Sequence, residues 1–184
     1  MVQKLISLMT DCSRPCNEGS CKKWKYESRA WNRFEKGVHS VQLISPAFAP
    51  DQMIAKRFSC QGADINPCLE IKNIPEGTQS LALIMDDPDS PTGSWVHWLA
   101  YNIPPTDRIE ENSNPGKAGI NDFGYEQYSG PCPGYEPHRY LFKLYALDTV
   151  LDLGNGADKE MLVKAMQGHT VDKAELVGIY EREI

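Results

Sequence analysis

The sequence predicts an antiparallel β-sandwich with short helices near the C-terminus. Its apolar and aromatic residues fall into short runs bounded by Pro, Asp or Gly, which is typical of strands joined by tight turns. Helical patterns of about 10–15 residues do not alternate with these runs, and this argues against a parallel α/β sheet. A chain of 184 residues is long enough for one domain with a buried core and an appendage.

The predicted elements follow in order along the chain. Strands are predicted over six runs, of which the fourth and fifth have the composition of buried strands: 41–48, 53–60, 68–74, 80–86, 96–103 and 140–148. An amphipathic helix is predicted over 158–168, because Asp158 suits its N-cap and Gly168 its C-terminal end. A helical turn over 172–176 and a last strand over 177–183 would close the chain.

The first 38 residues differ in composition from the rest of the chain. They are predicted to form an N-terminal extension, residues 1–38, to a β-sandwich domain of residues 39–184. The first 40 residues carry a net charge of +4, whereas the remaining 144 carry −10. A helix would bring three aromatic residues of the extension near one face: Trp24, Trp31 and Phe34. A docked helix, a loosely ordered tail and a misassigned start codon stay open as explanations.

The charge distribution and the hydropathy pattern exclude several classes of partner. An acidic body repels nucleic acid and anionic membrane surfaces, so we expect no nucleic-acid partner. No apolar run approaches the length of about 20 residues that a membrane span needs. The first twelve residues are a poor match to a signal peptide, because Ser7 interrupts their apolar stretch and Asp11 ends it. These observations predict a cytoplasmic protein.

The six cysteines do not form a recognisable framework. Three lie in the extension with the spacing C-x3-C-x4-C and lack the paired units of a zinc site, so we expect no metal there: Cys12, Cys16 and Cys21. Cys60, Cys68 and Cys132 are scattered through the domain. In a reducing compartment, such thiols are expected to be small core residues.

Two loops rich in Pro and Gly each lead a histidine to the edge of a strand. The first, 87–98, contains Asp87, Asp89 and His97, and the second, 128–140, contains His138. Rigid loops on a sandwich are where binding groups are usually carried. If the loops meet, the carboxylates would lie beside the imidazoles and favour their protonated form, which would let an acidic protein bind a small anion.

At these two loops the chain resembles the phosphatidylethanolamine-binding proteins, specifically their bacterial and archaeal Raf-kinase-inhibitor-like branch. The resemblance covers about 41–180 and includes the motifs PEGTQSLALIMDDPDSP, HWLAYNIP, SGPCP and HRYLFKLYALD. It implies a β-sandwich with a small pocket for phosphate or a phosphoryl head group. By position, the pocket would comprise seven residues, with Trp95 and Cys132 nearby: Asp87, Asp89, His97, Gly130, Pro131, His138 and Tyr140. The second loop departs from the family pattern at Pro133–Gly134 and at Glu136. Glu136 would add a negative charge at the rim of the expected anion pocket.

Each residue has an expected role in such a pocket. His97 and His138 would donate hydrogen bonds to ligand oxygens, with at least one ring cationic. Asp87 would orient an imidazole and favour its charged state. Asp89 would hold the loop by accepting hydrogen bonds from backbone donors.

The second loop would supply further groups. Gly130 would offer a backbone N–H, and Tyr140 either a hydroxyl or an aromatic wall. Arg139 lies between His138 and Tyr140 along a predicted strand, so its side chain should lie on the opposite face and outside the site.

We therefore predict a protein that binds a small phosphorylated or anionic ligand, or a phospholipid head group, without a cofactor and without catalysis. One alternative is a regulator or inhibitor of a kinase or protease, with residues 22–31 as the docking segment for a protein partner or a second copy. A second alternative is a hydrolase that uses acid–base chemistry or a Cys132–His138 pair. Against it, Cys132 lies between two prolines, and the sequence contains no recognisable metal or nucleotide motif.

Overall fold

The computed structural model describes residues 40–183. This part of the chain is mostly β, with one α-helix and a short 3-10 helix at Lys56–Phe58. In chain order its elements are β1 (Gln42–Ile44), β2 (Gln52–Met53), β3 (Leu69–Lys72), β4 (Ser80–Asp87), β5 (Trp95–Ile103), β6 (Arg108–Ile109), β7 (Lys117–Ala118), β8 (His138–Leu147), α1 (Lys159–Ala165) and β9 (Thr170–Tyr180). The predicted extension, residues 1–38, lies outside the described residues.

The strands form two sheets. The smaller has the order β1-β3-β6, and the larger has the order β2-β9-β8-β4-β5-β7. Every pairing is antiparallel except that of β2 with β9, which is parallel. The two long strands β4 and β8 lie at the centre of the larger sheet, and their ends position the candidate site.

Strand β4 is buried along its whole length because both of its faces are covered. On one face, Leu83 and Met85 join a core cluster that also contains Leu69 and Ile71 of the smaller sheet. On the other face, alternate residues of β4 pack with Leu162 of α1 in a second cluster. A strand covered on both sides reads as a nearly continuous apolar run, which is how this segment appears in the sequence.

The predicted mostly β fold is confirmed, with one α-helix rather than several in the described residues. The helix begins as expected: the Asp158 carboxylate accepts a hydrogen bond of 2.8 Å from the backbone N–H of Met161. Gly168 has φ 79°, a left-handed conformation that favours glycine and helps to end the helix. No helix among residues 40–183 is long and apolar enough to cross a membrane.

Two predicted elements are wrong. Within the run 53–60, Met53 ends β2 and Lys56–Phe58 form a 3-10 helix. Lys56, which lies between the buried residues Ile54 and Phe58, is exposed, so the run does not show the alternation of a strand. The predicted turn at 172–176 belongs to β9, where pairing with β8 overrides the helical propensity of the local sequence. The two-residue strands β6 and β7 were not predicted, because they are too short to show a periodicity.

Candidate functional site

The candidate site lies where β4 ends and β5 and β8 begin. Strand β4 is antiparallel to both of its neighbours, β5 and β8. Its C-terminal residue Asp87 therefore lies beside the first residues of those strands, Trp95 and His138, at one end of the sheet. Asp87 pairs directly with Trp95. The two loops predicted to meet, 87–98 and 128–140, therefore do come together.

A β-bulge places His97. Met85 pairs with Trp98 and Asp86 pairs with Val96, so His97 is the extra residue on β5. A bulge turns a side chain away from the regular alternation of the strand and is common next to binding sites. Regular alternation alone would have given a different direction to this ring.

The His97 ring is buried and held on several sides. Its Nδ1 lies 2.8 Å from the carbonyl oxygen of Ser129 and 3.1 Å from that of Gly130. The ring also makes edge contacts with Tyr140 and Phe123, with centroids 5.1 and 5.2 Å apart. Burial lowers the pKa of His97 below its usual value, and the carbonyl contacts and the negative charge of Asp87 oppose this shift without cancelling it.

His138 is oriented by Asp87. Its Nδ1 lies 2.7 Å from Asp87 Oδ2, and both side chains are largely sheltered from solvent. The second oxygen, Asp87 Oδ1, accepts a hydrogen bond of 2.8 Å from the backbone N–H of Asp89. The expected role of Asp87 in orienting an imidazole agrees with this geometry.

Asp89 binds Arg139 and so attaches the first loop to β8. It accepts hydrogen bonds from the backbone N–H, Nε and Nη2 of Arg139 at 2.9, 2.9 and 2.7 Å. The guanidinium group lowers the pKa of Asp89 to about 2. Arg139 lies outside the cluster of histidines, as its place in the strand alternation predicts.

Tyr140 is buried, and its ring lies against the edge of the His97 ring. Its hydroxyl is sheltered from solvent, with the Asp87 carboxylate and the backbone of Cys132 beside it. Burial and the nearby charge of Asp87 raise its pKa. The ring packs against His97, and the two roles expected from the sequence, a hydroxyl donor and an aromatic wall, both stay predictions.

The second loop packs tightly on the turn that follows the 3-10 helix. The backbone N–H of Gly130 donates to Asp64 Oδ1 at 2.6 Å, so the prediction that it is available to a ligand is wrong. A Cβ on Gly130 would lie 2.1 Å from the carbonyl oxygen of Phe58. The carbonyl oxygen of Pro131 accepts a hydrogen bond of 3.1 Å from Cys60 N–H. Gly130 and Pro131 thus shape the site mainly through the backbone.

The expectation of free thiols at Cys60 and Cys132 is wrong, because these residues form a disulfide. Both cysteines are exposed, so they are not core residues. The proposed Cys132–His138 nucleophile pair therefore lacks its thiolate in this structure. Cys68 is free and buried, as predicted. Glu136, which was expected to alter the loop rim, is exposed.

Sequence reasoning missed three residues that support the site. Asp64 holds Gly130, and the exposed ring of Phe123 contacts both His97 and Trp95. The Asn121 side chain donates hydrogen bonds to the carbonyl oxygen of His97 and to Ser129 Oγ, at 3.1 and 2.9 Å. The sequence INDFG at residues 120–124 is typical of a turn, but it does not indicate that this turn lies against His97.

A charged network lies on the opposite face of β4. The Asp86 carboxylate is buried, with Lys143 Nζ at 2.9 Å and Lys159 Nζ at 2.6 Å. Burial alone would raise the pKa of Asp86, but the hydrogen bonds and charges of the two lysines outweigh burial and lower it. Ser94 Oγ also donates to Asp86 at 3.3 Å, so the first loop is attached near both of its ends.

Residues 40–183 contain no cluster of His, Cys, Asp and Glu side chains arranged to hold a metal ion.

Comparisons with known proteins agree with the fold and cover the site. Residues 44–181 match the family model of the phosphatidylethanolamine-binding protein. A UPF0098 protein of Pyrococcus abyssi is 46% identical over 158 residues, which cover 80% of this chain and 89% of that protein.

Two crystal structures have the same fold. A phosphatidylethanolamine-binding protein homologue from Chlamydia trachomatis has a TM-score of 0.76 and 41% identity, covering 78% of this chain and 99% of that one. Escherichia coli YbcL, described as a member of the mammalian family, has a TM-score of 0.73 and 26% identity, covering 79% and 100%. Since the family model matches most of the chain and relatives above 40% identity cover most of it, the chain belongs to the phosphatidylethanolamine-binding protein family.

Proposed function

We propose that the protein binds a small oxyanion, phosphate or a phosphoryl group, at the ends of β4, β5 and β8. The proposal rests on one observation: two sheltered histidines lie near Asp87, and each has its Nδ1 held by a protein acceptor. The hydrogen bonds of the two rings within residues 40–183 engage Nδ1, so the Nε2 atoms of His97 and His138 would be the groups that contact the ligand. Asp87 would balance the charge of a protonated His138 ring.

Family membership supports this proposal, and it also supports the inference that the two sheets face each other as a β-sandwich across the core cluster that they share. Cytoplasmic localisation, membership of the Raf-kinase-inhibitor-like branch and the absence of catalysis stay predictions from the sequence.

The proposal is tested by NMR titration of the imidazole signals with phosphate and phosphoethanolamine. The chain has only four histidines, and His97→Ala and His138→Ala assign the two signals of interest. We expect both signals to shift together and to saturate, while those of the other two histidines stay unchanged. Absence of any shift at millimolar ligand would exclude the proposed site.

His169 is an internal control for this titration. Its Nδ1 lies 2.9 Å from Asp148 Oδ1, but both side chains are about half exposed, and the pair is on another part of the surface. If an Asp–His pair were sufficient to bind the anion, the His169 signal would shift as well. Selective shifts of His97 and His138 would show that the sheltered site is required.

A further inference from the structure

The environment of His97 determines which nitrogen of its ring carries the proton. Nδ1 faces two carbonyl oxygens, those of Ser129 and Gly130, and carbonyl oxygens only accept hydrogen bonds. The hydrogen therefore resides on Nδ1. In the neutral ring, Nε2 then presents a lone pair and can act only as an acceptor.

The ring is neutral near pH 7, because burial is the largest influence on its pKa and lowers it. The charged groups that oppose burial are Asp87 at the end of β4 and Asp64 in the turn below the second loop. On β8, the ring faces Tyr140, whose own pKa is raised, and His138 lies two residues before it in the same strand. The net effect of these groups leaves the pKa of His97 below its usual value.

We propose that the site selects oxyanions that carry their own hydrogen, because the ligand oxygen that meets His97 Nε2 has to donate. The proposal rests on the function proposed above and specifies its ligand class. Inorganic phosphate keeps a P–OH group near neutral pH, and so does a singly charged phosphate monoester. Sulfate and phosphodiesters have none, so their oxygens would meet the lone pair of Nε2 without a hydrogen between them.

The consequence is a choice between ligands of nearly equal size. An acceptor left unpaired in a sheltered site weakens binding by a factor of about ten or more. We therefore expect inorganic phosphate to bind at least about tenfold more tightly than sulfate or dimethyl phosphate at pH 7 and equal ionic strength. A phospholipid head group is a phosphodiester and belongs with the weaker ligands.

The test is a set of imidazole NMR titrations of the whole chain with phosphate, sulfate and dimethyl phosphate. A large preference for phosphate supports the inference. Equal affinity for all three anions would overturn it and leave the proposed function standing. If phosphate itself does not bind, the proposed function fails, and the inference fails with it.

His97→Gln provides a matched variant, because its amide nitrogen can donate near the position of Nε2. We expect this variant to bind sulfate and phosphate within about threefold of each other, if each ligand accepts from the amide. Urea unfolding verifies that the variant folds. Acidification of the wild-type protein is an independent measurement: once the His97 ring is doubly protonated, Nε2 becomes a donor, so sulfate affinity should rise as the pH falls through the lowered pKa of His97. An unchanged sulfate affinity across the His97 titration would contradict the inference.

Discussion

At the scale of single residues, the site depends on positions where the chain departs from regular geometry. His97 is the extra residue of a β-bulge, and its ring direction follows from that bulge. Gly130 is required for a different reason: its α-carbon lies so close to the preceding turn that a side chain cannot fit. Neither feature contributes a charge, yet both decide where the imidazole nitrogens lie.

Gly130→Ala should destabilise the protein. The added Cβ would lie 2.1 Å from the carbonyl oxygen of Phe58 and 2.8 Å from Asp64 Oδ1, so the second loop has to move. Overpacking of this kind costs about 1–3 kcal/mol in the free energy of unfolding, which urea denaturation measures. Gly134→Ala in the same loop is the control, because nothing lies within 4 Å of its Cβ. Equal midpoints for the two variants would contradict this account of Gly130.

At the scale of elements, the site is a junction of strand ends held by a loop attached on both sides. Near its start, Asp89 binds Arg139 of β8, and at its end, Ser94 contacts Asp86. Lys159, the first residue of α1, binds the same Asp86 carboxylate. The helix therefore stabilises the end of β4 from the face opposite the histidines.

Asp89→Asn should lower stability in a pH-dependent way. The folded pKa of Asp89, about 2, is below its reference value of 3.8, so its contribution is present above about pH 4 and is lost as the pH falls toward 2. The magnitude should stay below about 1 kcal/mol, because the Arg139 side chain is 60% exposed. Urea midpoints from pH 2 to 7 measure this, and Asp152→Asn, at an exposed carboxylate elsewhere, is the control. A difference from wild type that persists unchanged at pH 2 would contradict the assignment.

Across the domain as a whole, a disulfide joins distant parts of the chain that the structure describes. The disulfide connects Cys60, after the 3-10 helix, to Cys132 in the second loop, across a sequence separation of 72. Hydrogen bonds from Cys60 N–H to Pro131 and from Gly130 N–H to Asp64 lie beside it. The second loop is therefore fixed to the body of the domain close to His97.

Reduction of the disulfide should lower the free energy of unfolding by roughly 2–4 kcal/mol, because closing a loop of this length restricts the unfolded chain. Urea denaturation with and without a phosphine reductant measures the change. The double variant Cys60→Ser/Cys132→Ser controls for the other cysteines and should not respond to the reductant. A wild-type protein that also fails to respond would show that the disulfide does not form in solution.

Sequence patterns predicted the family, the central strands β4, β5 and β8, the helix capped by Asp158, and two loops that each carry a histidine to the edge of a strand. These features are visible because periodicity, turn chemistry and helix capping act between residues a few positions apart. The family prediction is confirmed by the match over residues 44–181. The ligand-binding roles of the site residues stay predictions.

The bulge at His97, the hydrogen bond between Asp64 and Gly130, and the Cys60–Cys132 disulfide became visible only in the folded chain. The structure also shows that Nδ1 of His97 faces two carbonyl oxygens, and the proposed choice between anions depends on the other nitrogen, Nε2. These contacts join positions up to 72 residues apart, and they depend on strand register and on which turn meets which loop. Local sequence patterns do not determine such long-range packing, because each segment could pair with other partners until the whole core forms.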